Sequence, residues 1–344
     1  MTSIPVRPSI CTFGYHDRTS PRYWTICRYI EGQGGTLREC HTDVRGFVGK
    51  MRALRAQWKT MKSDCDTVLV TFPGHYLVPL AWLLTRRPRK TLLFDAFVSL
   101  YDSNVSDRRL FSPWHPRAWM AFLMDIVSCH LADRVLVDTQ AQKEFFCRRF
   151  RLSPERVEVV YLRAREDLFK PPAQQRSAHA AFDVFFYGSY IPLQGIETIL
   201  RAAAIVQKNN GHIRFMLVGG GQTQAEMRAL SQALQLQNVT FRPPVGIEEL
   251  PSLIRDADLC LGIFGTSDKA LRVIPHKVYD AVACGVPVVT ADTPAIRERF
   301  ASHPLVSLCP PGDPAALANA ILERAHRSAM KRPSDGQNRS SHRQ

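Results

Sequence analysis

Short runs rich in β-branched and aromatic residues alternate with helical hydrophobic periodicity along most of the chain. The predicted strands lie at 10–13, 67–72, 91–95, 134–138, 157–161, 183–187, 214–218, 239–241, 259–263, 286–290 and 305–308. The predicted helices lie at 23–31, 44–62, 78–85, 117–131, 141–150, 196–207, 224–236, 247–256, 275–284, 293–300 and 313–325. Because a strand, a helix and a further strand in succession need a crossover connection, this alternation predicts α/β domains built on parallel sheets.

A break divides the alternation into two halves. The segment 170–180 begins with Lys-Pro-Pro and continues as a polar stretch, which is the composition of a linker. We therefore predict two Rossmann-like domains, 1–169 and 170–327, followed by a basic, disordered tail at 328–344. Parallel sheets bind ligands at the carboxyl ends of their strands, so the two domains are expected to face each other across an inter-domain cleft.

The composition is that of a globular protein without membrane spans. Of the 344 residues, 45% are hydrophobic and 22% are charged, and no apolar run approaches the roughly 18 residues that cross a bilayer. Residues 1–30 lack the apolar core of a secretory signal, because Arg18, Arg22 and Arg28 interrupt it. The nine cysteines show no CxxC pair, which argues against a disulfide scaffold or a zinc ribbon. We therefore expect a cytoplasmic protein.

The excess positive charge is concentrated in the first half. Residues 1–170 carry 27 Lys and Arg against 17 Asp and Glu, a net charge of +10 out of the +14 of the chain. This bias fits an anionic partner, such as a phospholipid surface or a phosphorylated acceptor, or else a solvated surface. A nucleic-acid partner is not expected, because we find no basic–aromatic recognition motif.

The segment 271–290 has the features of an anion site. Pro275 suits the first position of a helix and Gly285 suits its left-handed stop. The backbone amides of His276 and Lys277 would then lie unpaired at a positive helix end, and Lys277 adds a formal charge. Asp280, about 60° around the helix from Lys277, could accept hydrogen bonds from a vicinal diol. The alternative is a surface ion pair on an amphipathic helix.

A set of segments in fixed order resembles the donor-binding half of the family-4 glycosyltransferases, which have the GT-B fold. The segments are 185–202 (beginning Phe-Phe-Tyr-Gly-Ser), 215–221 (ending Val-Gly-Gly-Gly), 238–241, Ala257-Asp258 and 276–289 (ending Gly-Val-Pro-Val-Val). The resemblance extends over about 183–320 and, more weakly, over 67–170. It implies an α/β GT-B enzyme that transfers a sugar from a nucleotide-sugar with retention of anomeric configuration.

The resemblance assigns roles to particular residues of the second domain. Asp280 matches the acid that holds the ribose hydroxyls of the donor, and Gly188 matches the glycine that lets the backbone approach the diphosphate. The turn Arg272-Val-Ile274-Pro275 takes the place where family members touch the sugar hydroxyls and phosphate. The first domain would bind the acceptor. No essential metal and no cofactor are implied, since the nucleotide-sugar is a substrate.

The chain departs from the family pattern where the leaving diphosphate is neutralised. Ser189 and Gln194 stand in place of the usual Arg and Lys, and Arg272 stands in place of the first motif acid. We hypothesise that Arg272 and Lys277 supply the missing positive charge in catalysis. Two other readings are kept. One is a sugar-nucleotide epimerase of the same fold, and the other is a catalytically degenerate nucleotide-binding partner subunit.

On the acceptor side, polar residues follow the predicted strands of the first domain. The resemblance places Asp95 near the acceptor and the donor sugar, where it could orient the acceptor hydroxyl or stabilise charge at the anomeric carbon; a capping aspartate is the alternative. The other acceptor-side candidates are Gly14, His16, Asp17, His75, Ser99 and Asp102. His75 is equally well explained as a helix cap. No metal site is predicted, because His115, His130, His212 and His303 lack ligand spacing.

The segment 111–124 combines aromatic residues, methionines and arginines. It could contact a membrane interface, or it could be an ordinary core helix with a proline-rich entry. Together with the basic first half, it favours a saccharide or lipid-linked acceptor and a peripheral contact with an anionic membrane.

Overall fold

A computed structural model describes residues 9–172, 181–209 and 211–331, and within these the chain divides into two compact units. Unit 1 consists of the chain up to Phe169 with Thr266–Asp280 and Thr293–Ala301. Unit 2 consists of Lys170–Gly265, Ala281–Asp292 and the chain from Ser302. The linker predicted at 173–180 lies outside the described residues.

Unit 1 is built on a six-stranded parallel sheet in the order β2-β1-β3-β4-β5-β6. The helices and strands of its first segment, up to Phe169, are β1 (Ser9–Gly14), α1 (Pro21–Gly32), β2 (Thr36–His41), α2 (Phe47–Met61), β3 (Thr67–Val70), α3 (Val78–Thr85), β4 (Thr91–Phe97), α4 (Pro116–Leu131), β5 (Arg134–Val137), α5 (Gln140–Phe150) and β6 (Val157–Val159). The order reverses at β1 and β3, so the carboxyl ends of these two strands form the switch point where ligands of such sheets bind.

Unit 2 is built on a second six-stranded parallel sheet in the order β12-β11-β10-β7-β8-β9. The elements after residue 180 are β7 (Phe182–Ser189), α6 (Ile196–Asn209), β8 (Ile213–Gly220), α7 (Gln224–Ala233), β9 (Val239–Arg242), α8 (Leu250–Arg255), β10 (Leu259–Leu261), α9 (Asp268–Arg272), α10 (His276–Ala283), β11 (Val288–Ala291), α11 (Pro294–Phe300), β12 (Val306–Cys309) and α12 (Pro314–Lys331). The segments of unit 1 include α9, α11 and the first part of α10.

Local sequence explains where helices α1 and α10 begin or end. Ser20 caps α1 by accepting a hydrogen bond from the backbone of Tyr23 at 3.2 Å, and Pro21 follows at the first helical position. Gly285 takes the left-handed conformation (φ 73°) after α10, as predicted. The helix itself begins at His276, one residue after the predicted start at Pro275.

The structure contains elements that the pattern did not predict. The strand β2 was missed because it is the edge strand of its sheet and carries polar residues, so it lacks a continuous β-rich run. The five-residue helix α9 is too short to show helical periodicity. The tail was predicted from residue 328, whereas α12 continues to Lys331; residues 332–344 lie outside the described part of the chain.

None of the helices in the described ranges combines the length and the apolar character needed to span a membrane.

Candidate functional site

The loop after β1 brings His16 to the carboxyl ends of the neighbouring strands of unit 1. Its Nδ1 lies 2.7 Å from Thr71 Oγ1 and its Nε2 lies 2.9 Å from Glu39 Oε1. Gly14 makes this approach possible, because a Cβ atom there would lie 2.6 Å from Thr71 Oγ1. Asp17 is exposed and accepts a hydrogen bond from the backbone of Thr19 at 2.8 Å. His16 therefore belongs to a polar cluster, whereas Asp17 shapes the loop.

Asp95 is held in a buried ion pair with Arg22. The Arg22 guanidinium donates to both carboxylate oxygens, at 2.6 Å and 2.9 Å to Oδ1 and 3.2 Å to Oδ2, and also donates to the carbonyl of Val160 at 2.6 Å. Burial raises the pKa of the Asp95 carboxyl, and the Arg22 charge opposes that effect. The predicted catalytic acid thus has a structural partner that the sequence did not indicate.

His75 and Ser99 lie beside a second buried acid, Asp125. Ser99 donates to Asp125 Oδ2 at 2.6 Å, and the backbone of Leu100 and Tyr101 donates at 2.9 Å and 3.0 Å. His75 Nε2 lies 3.5 Å from Asp125 Oδ1. Burial raises the pKa of Asp125 to about 6 and lowers that of His75 to about 3. This arrangement fixes the turn after β4, and no sequence signal had singled out Asp125, which lies in the interior of α4.

Asp102 pairs with Arg272, and both belong to unit 1. Arg272 donates to Asp102 Oδ2 at 2.8 Å and lies over the ring of Phe145, 4.1 Å from its centroid. The carbonyl of Arg272 accepts a hydrogen bond from Thr139 at 2.6 Å. The structure therefore joins an acceptor-side candidate to a predicted catalytic residue, and the Asp102 charge offsets that of Arg272.

Two charged side chains of α10 are buried. Lys277 and Asp280 are each 2% exposed, Ile274 is buried, and Pro275 and His276 are partly buried. Burial lowers the pKa of Lys277 well below that of a free lysine. The pKa of His276 falls to about 4 through burial and the neighbouring Lys277 charge. These residues are thus not the surface ion pair that the alternative reading described.

Gly188 is the penultimate residue of β7 in unit 2 and is in register with Gly219 of β8. Its φ is 152°, and a Cβ atom on Gly219, at the end of the adjacent β8, would lie 2.0 Å from the Gly188 carbonyl oxygen. Ser189 is exposed. Gln194 ends a short 3-10 turn, and its carbonyl accepts a hydrogen bond from Phe264 at 3.1 Å. The glycines of 219–221 therefore serve the close approach of two strand ends.

Asp138 and Glu298 are acids that the sequence reasoning did not select as site residues. Asp138 follows β5, is buried, and has an Oδ1 atom without a hydrogen-bond partner among the described residues. Burial raises its pKa to about 7. Glu298 accepts from the backbone of Gln140 and Ala141, at 2.7 Å and 2.8 Å, and so caps α5. The position of Asp138 at a strand's carboxyl end was the one available signal.

The folds of several solved structures match this architecture over almost the whole chain. The sucrose-phosphate synthase of Thermosynechococcus elongatus superposes with a TM-score of 0.69 at 18% identity, covering 94% of this chain and 91% of that one. Anabaena HepE, solved with UDP and glucose, gives a TM-score of 0.67 at 17% identity and covers 94% and 91%. The prediction of an α/β protein of the GT-B class with two Rossmann-like sheets is thereby confirmed.

Sequence comparison points to the same class. Residues 181–326 match the family model described as "Glycosyl transferases group 1". The D-inositol 3-phosphate glycosyltransferase of Streptomyces avermitilis is 26% identical over 232 residues, which are 62% of this chain and 48% of that protein. The chitobiosyldiphosphodolichol beta-mannosyltransferase of Eremothecium gossypii is 24% identical over 341 residues, covering 85% and 70%. The chain spans about half the length of several curated relatives that it matches.

Proposed function

We propose that the protein is a glycosyltransferase that moves a sugar from a nucleotide-sugar to an acceptor. The observation that carries this proposal is the match of residues 181–326 to the glycosyltransferase family model within a fold of the GT-B class. That match contains Gly188 and Asp280, the two residues assigned to the diphosphate and the ribose. The relatives named as glycosyltransferases and the solved neighbour with bound UDP support the same reaction class.

In the proposed donor site, Asp280 accepts hydrogen bonds from the ribose hydroxyls and the diphosphate lies at the start of α10. Gly188, Ser189 and Gln194 of unit 2 are proposed as donor-binding residues on the family resemblance alone. Ile274, Pro275 and His276 form the turn that meets the sugar and phosphate.

The leaving diphosphate needs positive charge, and the proposal assigns most of it to Lys277. Arg272 is already offset by Asp102 at 2.8 Å, so its charge is less available to a ligand. Retention of configuration is proposed without a protein nucleophile. Asp95, which is buried in an ion pair with Arg22, is proposed to hold the acceptor side in place rather than to touch the acceptor hydroxyl. Placed donors at a helix start can stabilise the departing charge without a metal ion.

Nucleotide binding is testable by thermal shift. We expect a nucleoside diphosphate or nucleotide-sugar at 100 times its Kd to stabilise the protein by about 2.7 kcal/mol, seen as a rise in Tm of several degrees. Asp280→Asn should lose about 1.5–3 kcal/mol of that binding free energy, because a hydrogen-bonded charge is removed. The matched control is Asp256→Asn, at an exposed acid that caps α8 in unit 2.

The outcomes separate the candidate functions. No shift with any nucleotide, or an equal shift in the wild type and in Asp280→Asn, would contradict the proposed donor site. Conversion of a nucleotide-sugar without an acceptor would indicate an epimerase. Binding without turnover would indicate a degenerate subunit, a reading favoured by Ser189 and Gln194 in place of the usual cations.

The acceptor is proposed to be a saccharide or a lipid-linked glycoconjugate at an anionic membrane. Helix α4 buries Ala118, Ala121 and Cys129 and exposes Trp119, Met120 and Leu123, and Trp114 just before it is 83% exposed. An amphipathic helix that exposes aromatic and apolar side chains beside basic residues is typical of a membrane-interface contact. The net charge of +10 on residues 1–170 would attract anionic lipid.

Liposome flotation tests this contact. We expect the protein to float with vesicles that contain anionic lipid and to remain unbound with purely zwitterionic vesicles. The variant Trp114→Ser/Trp119→Ser should bind at least about tenfold more weakly, because each buried aromatic side chain contributes of the order of 2 kcal/mol. Met330→Ser, which alters an exposed apolar residue of α12, should float like the wild type. Binding that is indifferent to lipid charge would contradict the proposal.

A further inference from the structure

Three potential metal ligands meet at the carboxyl ends of β1 and β2. One ring nitrogen each of His16 and His41 and one carboxylate oxygen of Glu39 all lie within 4.8 Å of one another. Glu39 and His41 are two residues apart on β2, so their side chains are on the same face of the sheet. His16 reaches them from the loop after β1. The last residue of β1, Gly14, is in register with His41.

The second nitrogen of each histidine is already directed by a neighbouring side chain. His41 Nε2 lies 2.9 Å from Asp43 Oδ1, and His16 Nδ1 lies 2.7 Å from Thr71 Oγ1. His41 Nδ1 has no hydrogen-bond partner among the residues that the structure describes, although the His41 side chain is only 6% exposed. A buried imidazole with a free nitrogen and a carboxylate on its other nitrogen is the arrangement that metal-binding histidines take.

We propose that His16, Glu39 and His41 form a binding site for a divalent transition metal, with Zn²⁺ as the expected ion. Two histidines and one glutamate are a known ligand set for zinc, with water in the fourth position. A tetrahedral zinc ion spaces its ligand atoms about 3.3 Å apart. His16 Nε2 and Glu39 Oε1 are 2.9 Å apart, so both can turn toward one ion with a small movement.

Metal binding requires the His16 tautomer that donates its Nδ1–H to Thr71 Oγ1, because that tautomer leaves Nε2 free to bind the ion. The proposed ion does not enter the transfer reaction proposed above. It would join the loop after β1 to β2.

Arg18 opposes the metal. Its guanidinium forms a fork on Glu39, with hydrogen bonds of 2.7, 3.0 and 3.1 Å, and it stands beside the proposed ion as a second cation. Removing this charge should therefore strengthen metal binding, whereas it would have no such effect on a cluster held together only by hydrogen bonds. Substitution of Arg18 is therefore expected to raise metal affinity, whereas substitution of a ligand is expected to lower it. This difference distinguishes a metal site from a purely structural polar cluster.

The experiment measures Zn²⁺ affinity of the full chain, freed of metal by chelation, in competition with a chromophoric chelator. We expect His41→Gln and Asp43→Asn each to weaken binding at least about tenfold, and Arg18→Gln to strengthen it severalfold. Asp43 is an exposed residue, with a side chain 86% exposed, so its substitution should leave the fold intact even where His41→Gln does not. His326→Gln, at an exposed histidine of α12, should bind as the wild type does.

A second measurement uses Co²⁺, because a four-coordinate Co²⁺ site absorbs visible light intensely. At equal Co²⁺ concentration, Asp43→Asn should reduce this absorption. Mg²⁺ should bind poorly, since imidazole nitrogen does not suit it. Zn²⁺ affinity that is equal in the wild type, Asp43→Asn and Arg18→Gln would overturn the proposal. So would weaker binding in Arg18→Gln.

Discussion

Replacement of Lys277 by methionine is expected to lower turnover about 10²–10³-fold, the cost of removing one donor that stabilises a developing negative charge. Lys277 is 2% exposed, and burial depresses its pKa. A diphosphate bound beside it would favour the charged ammonium and raise that pKa again. Lys208→Met, at an exposed lysine of α6, is the matched control and should leave turnover unchanged.

This pKa change gives donor binding a pH dependence of known sign. Because the free protein has the lower pKa and the complex the higher one, binding takes up a proton, and affinity should fall as the pH rises between the two values. Calorimetry in buffers of different ionisation enthalpy measures that uptake directly. The uptake should disappear in Lys277→Met. Full turnover in this variant would mean that another group carries the leaving charge.

Replacement of Arg22 by methionine is expected to destabilise the protein by about 3–5 kcal/mol, because it leaves the Asp95 carboxylate buried without its partner. Denaturant unfolding measures the loss. The double variant Arg22→Met/Asp95→Leu should recover much of it, since removing both charges also removes the cost of burying them. Arg89→Met, at an exposed ion pair with Asp133, should cost less than about 1 kcal/mol.

The pH response of Arg22→Met tests the same explanation. Burial already raises the pKa of Asp95, and loss of Arg22 raises it further. A raised carboxyl pKa means that the folded state binds the extra proton, so the variant should regain stability as the pH falls from neutral toward the unfolded pKa of about 3.9. Unfolding curves with the same deficit at every pH would contradict a buried, unpartnered carboxylate.

Strand and helix periodicity predicted most of the fold, and the elements that it missed have physical explanations. The strands β7 and β8 are buried and rich in Val, Ile, Leu and Phe, so their composition was sufficient. The edge strand β2 has the sequence Thr-Leu-Arg-Glu-Cys-His, and its polar residues hid both the strand and the ligands Glu39 and His41. Because edge strands commonly carry charged and polar side chains, their composition indicates a strand poorly.

The side-chain contacts of the candidate site were harder to predict from the sequence, because the residues of each ion pair lie far apart in the chain. Arg22 and Asp95 are separated by 73 residues, and Arg272 and Asp102 by 170. A single sequence shows which residue types follow a strand, but it does not show which side chain neutralises them. Asp95 was therefore predicted as a catalytic or capping residue and Asp102 as an acceptor-side residue, without the arginine partner that each of them has.

The assignment of Thr266–Asp280 and Thr293–Ala301 to unit 1 determines how this chain could be recombined with a related one. A chimaera joined at Phe169 would take Asp102 from one parent and Arg272 from the other. It would also replace Glu298, which caps the first turn of α5, by the residue of the other parent. Exchange of unit 2 between two parents would therefore need crossover points that keep these two segments with the unit 1 of their own parent.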